Sequence, residues 1–141
     1  MGDSDLCYLS VHDLAGRIRR RKISPVEVVE AHLRRIEALN PALSAFFTLT
    51  GDRALEEARR AEAEIAAGRW RGPLHGIPYG AKDIIETAGI RTTHGSSFFR
   101  DHVPAEDAEC IVRLRQAGAI LLGKTLTHEF ASAATTTLLK K

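Results

Sequence analysis

The sequence predicts an α/β fold. Ala119-Ile120-Leu121-Leu122 is a continuous apolar run, the pattern of a strand buried on both faces. Ala45-Phe46-Phe47-Thr48-Leu49 and the stretch from Ile77 to Lys82 read as further short strands. Amphipathic segments with helical spacing lie between these runs, and strands alternating with helices indicate α/β architecture.

Taken in order, Ser10 is the N-cap of a first predicted helix, in which Leu14 and Ile18 repeat at helical spacing. His12 reads as a surface residue on it. The second helix carries the strongest signals: Ser24 as N-cap, Pro25 at the first helical position and Glu27 completing a capping box. Val26, Val29, Leu33 and Ile36 form its apolar stripe, Glu30 and Arg34 can pair across one turn, and Asn40-Pro41 is expected to end it. Gly51-Asp52 turns the chain from the 45–49 strand into a third helix. Ala54, Ala58, Ala61 and Ile65 give that helix a narrow apolar face, its charged residues a solvated one, and Gly68 its stop. Trp70 is expected to staple the following loop. Residues 84–89 fit a turn or short helix, and 92–97 a loop. Pro104 precedes a further helix, with Glu106 and Asp107 near its N-terminus, Ala108, Ile111, Val112 and Leu114 on its apolar side and Gly118 at its end.

The 141 residues fit one average domain, and 44% hydrophobic with 27% charged residues is ordinary for a globular chain. A net charge of +2 gives no case for nucleic acid. The basic cluster Arg17 to Lys22 reads as a solvated helix face and lacks the aromatic interleaving of a single-strand binder. Cys7 and Cys110 have neither CxxC nor zinc spacing, and reduced thiols in the cytosol are the expectation, with Cys110 packed in its helix. The N-terminus is acidic and polar rather than a signal peptide, and no apolar run approaches membrane-spanning length. A cytoplasmic location follows as an expectation, with no membrane partner, cofactor or metal. His94 has no partner at metal-ligand spacing and is read as structural.

Chemistry concentrates in His75-Gly76-Ile77-Pro78-Tyr79-Gly80-Ala81-Lys82-Asp83 and in Thr92-Thr93-His94-Gly95-Ser96. Strand alternation puts Ile77, Tyr79 and Ala81 on one face and Pro78, Gly80 and Lys82 on the other. Lys82 then ends a short apolar strand, beside a glycine that leaves room for another segment to approach. Such a lysine is a candidate buried, neutral base. From spacing alone, since buried lysine is rare, it reads first as a strand-end lysine whose ammonium reaches water. Asp83 is aimed at the opposite face and reads as structural support.

These motifs resemble the amidase signature family: Gly76-Ile77-Pro78, Lys82-Asp83, Thr92-Thr93-His94-Gly95-Ser96, then Ala117 to Thr125 and His128-Glu129-Phe130. The resemblance covers about residues 70–137, with weaker similarity to the start. It implies the N-terminal, incomplete part of that fold, a mixed β-sheet core covered by helices. It also implies hydrolysis of a linear amide C–N bond by a Ser–Ser–Lys triad in which Lys82 is the lysine. In that mechanism the lysine takes a proton from one serine, which relays it from the nucleophilic serine. The family's Gly-Gly-Ser-Ser-Gly-Gly stretch has no counterpart in the 141 residues, and Ser96 and Ser97 lie outside any such stretch. The expectation is an amidase portion over 1–137 and a non-family tail at 138–141 from truncation or frameshift. Such a chain would be inactive alone, its longer parent acting on a small carboxamide. The alternative is a noncatalytic interaction module or truncated amidotransferase subunit, able to self-associate through uncovered strand edges.

Gly118 to Thr125 formally satisfies the P-loop pattern, with Lys124 on phosphate and Thr125 on magnesium. Its context argues against that reading: the first glycine follows a helix, and the variable residues are strand-like.

Overall fold

The computed structural model describes residues 3–132. Helices α1 (Asp3–Tyr8), α2 (Val11–Arg19) and α3 (Pro25–Leu43) lead into strand β1 (Phe46–Leu49) and helix α4 (Gly51–Ala66). Strand β2 (Pro78–Lys82), helix α5 (Glu109–Gln116) and strand β3 (Ile120–Thr125) complete the regular elements, with short 3-10 turns at Ser97–Phe99 and Glu129–Ala131. The strands form a mixed sheet in the order β1-β3-β2, β1 antiparallel and β2 parallel to the central β3.

The apolar pattern explains the layers. On one face of β3, Ile120 and Leu122 pack with Val29 of α3 and Ala54, Ala58 and Ala61 of α4. On the other, Leu121 packs with Ala81, Ile90 and Ile111. The run at 119–122 is therefore buried on both faces, as its composition requires; each such side chain contributes about 1.5–3 kcal/mol. The small alanines of α4 let that helix lie close on the sheet. A third cluster joins Leu14, Ala15 and Ile18 of α2 to Val28, Ile65 and Ile77, with Trp70 against it. The apolar surface of α3 is thus wider than one stripe: Val28 and Val29 serve different clusters.

Caps form where the residues demand them. Ser10 accepts from Asp13 N, and Ser24 and Glu27 close a capping box. The α3 terminus departs from expectation, because the helix continues through Pro41 to Leu43. A proline this close to the end removes a single helical donor, and the actual stop is Ser44, left-handed at φ 50. Asn40 instead serves β1: its side chain accepts from Phe46 N at 2.8 Å and donates to Phe46 O at 3.0 Å.

Helix α5 begins at Glu109, later than its acidic residues suggest. Asp107 is occupied elsewhere, accepting from Ala88 N at 2.8 Å and from the Arg115 guanidinium. Cys110 is exposed rather than packed, and neither it nor Cys7 forms a disulfide. The basic cluster spans the end of α2 and the turn beyond it, with Arg19 to Lys22 solvent-exposed. No helix among the described residues is long and apolar enough to cross a membrane.

His75 anchors the approach to β2. It is 1% exposed; Nδ1 accepts from Arg71 N at 3.2 Å, so Nε2 carries the proton and donates to Glu64 at 3.2 Å. Burial pushes its pKa below the ordinary 6.5; Glu64 opposes this and Arg71 reinforces it. The unfolded chain therefore binds this proton more readily, and His75 makes stability fall as pH drops below about 6.5. Urea titrations across pH 5–7.5 should give a steeper loss for the wild type than for His75→Asn; parallel profiles would remove His75 from this role.

Candidate functional site

The two lysines of the site have opposite surroundings. Lys124, in β3, is fully buried at 0% exposure. Its Nζ donates to Thr87 Oγ1 and Thr92 Oγ1, each at 2.9 Å, and to the Ile85 carbonyl. Burial pushes its pKa below the usual lysine value, against the attraction of Asp83 and Glu86. Lys82, the sequence's candidate for a buried base, is half-buried at the end of β2, level with Thr125 of β3, as a strand-end lysine would be. Among the described residues the Lys82 amine has no hydrogen-bond or ion-pair partner.

The space beside Gly80 is not open. A Cβ there would lie 2.8 Å from Thr125 Cγ2 and 3.3 Å from the Phe46 ring. Close approach of other segments is what the glycine permits, and those segments are β3 and β1. Gly123 is more constrained still: at φ +156 a Cβ would sit 2.2 Å from the Thr48 carbonyl oxygen. The β3 register shifts beside it, between the partners of Tyr79 and Gly80.

Asp83 supports the loop that follows. It is 2% exposed; its carboxylate accepts from Thr93 N at 3.2 Å through each oxygen, and from the Thr93 hydroxyl. Its backbone bonds to Thr125 O at 3.0 Å and accepts from His94 N at 2.8 Å. The Thr-Thr-x-Gly-Ser loop is thereby tied to the strand end that carries Lys82. Asp83→Ala leaves the buried Thr93 N–H and the Thr93 hydroxyl proton without an acceptor, a cost of about 2–4 kcal/mol. It should also speed amide exchange at Thr93 and His94; unchanged exchange would show that the loop is held elsewhere.

Ser96 donates to Glu129 Oε1 at 2.7 Å and caps the 3-10 turn at Ser97–Phe99, so it has a structural occupation; Ser97 is exposed. The formal P-loop is no phosphate cradle. Ile120–Thr125 is strand, and the Lys124 amine is fully engaged by the 85–92 segment.

His94, expected to stand alone, does not. Its Nε2 is 2.7 Å from Glu86 Oε1, and His102 Nε2 is 3.1 Å from Glu86 Oε2. Burial raises the Glu86 pKa, but hydrogen bonds and charge from His102 and then His94 outweigh it, leaving a net lowering. Phe99 stands edge-on to both imidazoles, and Phe130 stacks on His94. Residues 86, 94 and 102 share no helix or strand; the returning loop joins them.

A family profile described as Amidase matches residues 27–138. The chain belongs to the amidase family. Among its relatives, a subunit of the glutamyl-tRNA(Gln) amidotransferase from Heliobacterium modesticaldum is 43% identical over 127 residues, covering 90% of this chain and 26% of that protein. The native peptide amidase of Stenotrophomonas maltophilia superposes with a TM-score of 0.83 at 41% identity, over 89% of this chain and 26% of that one. A bacterial aryl acylamidase of the amidase signature enzymes gives 0.82 at 28% identity, over 87% and 26%. This amidase chain thus spans about a quarter of the length of these relatives, and its mixed sheet with covering helices is the corresponding part of their α/β fold.

Proposed function

We propose that this chain forms the N-terminal part of an amidase that hydrolyses the C–N bond of a small carboxamide, with Lys82 as its proton-accepting base. The observation that carries this reading is the contrast between the two lysines. The Lys124 amine is saturated by buried acceptors, whereas that of Lys82 has no partner among the described residues. Lys82 also stands at the Lys-Asp position of the family motif, on a rigid strand end braced by Asp83. A neutral Lys82 would take a proton relayed from the nucleophilic serine. The serine oxygen adds to the amide carbonyl, the protonated amine leaves, and water then cleaves the acyl ester.

Residues 1–137 constitute this amidase part in the proposal; the 138–141 tail lies within 133–141, outside the described residues. The Gly-Gly-Ser-Ser-Gly-Gly stretch is absent from the 141 residues, so this chain by itself should give no turnover. The test joins residues 1–132 to the part of the Stenotrophomonas peptide amidase that follows its matched quarter. Carboxamide hydrolysis by the chimera, and none by the chain alone, is the expected result. A folded but inactive chimera, when the relative's own N-terminal segment restores activity, would overturn the proposal.

A second reading, a noncatalytic module or amidotransferase subunit, draws on the surface. Phe98 is 90% and Phe130 54% exposed, and β2 is an edge strand among the described residues. Association of the 141-residue chain in sedimentation, together with an inactive chimera, would favour it.

A further inference from the structure

We propose that Glu86, His94 and His102 form a binding site for one divalent transition-metal ion of the zinc class. Each residue offers a donor atom, two imidazole nitrogens and a carboxylate oxygen, and the three lie within 4.8 Å of one another. Zinc bonds of about 2.0–2.2 Å place tetrahedral donors about 3.4 Å apart, so small side-chain rotations seat the ion. One carboxylate and two neutral imidazoles suit zinc, cobalt or nickel better than magnesium or calcium, which prefer oxygen ligands.

The backbone holds the donors in place. His94 is left-handed at φ 54, a conformation unusual for a residue with a Cβ, and is pinned by its N–H to Asp83 O at 2.8 Å and by Phe130 N to its carbonyl at 2.8 Å. The loop closes through Thr92 N to His102 O and His102 N to Phe99 O, each at 3.0 Å. Phe99 lies 5.0 Å from the His94 ring and 5.7 Å from that of His102, fixing both orientations. The side chains keep 20–39% exposure, so an ion enters from solvent and water completes its coordination. This site is separate from the proposed amide chemistry, although the His94–Asp83 bond ties its loop to the strand end bearing Lys82.

The experiment titrates zinc into the tag-free 141-residue chain by calorimetry, in a Cys7→Ser/Cys110→Ser background that removes competing thiols. Saturable uptake of one ion per chain is expected. His94→Ala and His102→Ala should each weaken it by at least about 100-fold, while His12→Ala, at an exposed position on α2, leaves it unchanged. Absence of saturable uptake, or uptake that survives both substitutions, overturns the site. Cobalt broadening of histidine ring resonances supplies a readout without variants. Selective loss of the His94 and His102 signals supports the site, and loss that fails to favour them refutes it.

Discussion

Replacing Lys82 with alanine in the chimera with the Stenotrophomonas amidase should lower kcat for a small carboxamide by about 10⁴-fold while leaving the fold intact. The two halves of that result have separate causes. Activity is lost because a serine hydroxyl at neutral pH is a weak nucleophile without an adjacent base. The fold is kept because the Lys82 amine makes no hydrogen bond or ion pair with a described residue, so truncation orphans no polar group among them. Turnover and thermal melting measured on the same preparation separate the outcomes. Unchanged turnover would remove Lys82 from the chemistry. A collapsed melting temperature would make it a structural lysine.

Lys124→Ala should do the reverse. It empties a fully buried site and removes the ammonium that Thr87, Thr92 and the Ile85 carbonyl share. Cavity formation and lost charge-assisted hydrogen bonds together predict destabilisation of about 3–5 kcal/mol. Guanidinium unfolding of the 141-residue chain measures it directly. The hydroxyls of Thr87 and Thr92 already donate to the Ile85 and Ile90 carbonyls, at 3.0 and 3.1 Å, and cannot replace the ammonium's protons. Lys124→Met should cost less, since it keeps the stem and fills the volume. A loss below about 1 kcal/mol for the alanine variant would mean that water takes over the amine's role.

Elements whose information is local can be read from the residues directly. The Ser24-Pro25-Glu27 cap, the alanine face of α4 and the doubly buried 119–122 run each follow from neighbours within a turn or a strand, and each stands in the structure as read. The family motifs are legible for the same reason, as short fixed spacings. Helix ends are less so: Pro41 looks terminal, but the left-handed Ser44 and the bonds of Asn40 to β1 decide where α3 stops. Tertiary structure alone decided which lysine is enclosed. Strand alternation says which way Lys82 and Lys124 point, but the shell around Lys124 comes from Ile85, Thr87 and Thr92, more than thirty residues earlier. Glu86, His94 and His102 are likewise joined only where the loop between β2 and α5 folds back on itself. Side-chain periodicity reports the face of an element; which distant groups meet that face depends on how loops close, and loop closure leaves no period in the sequence.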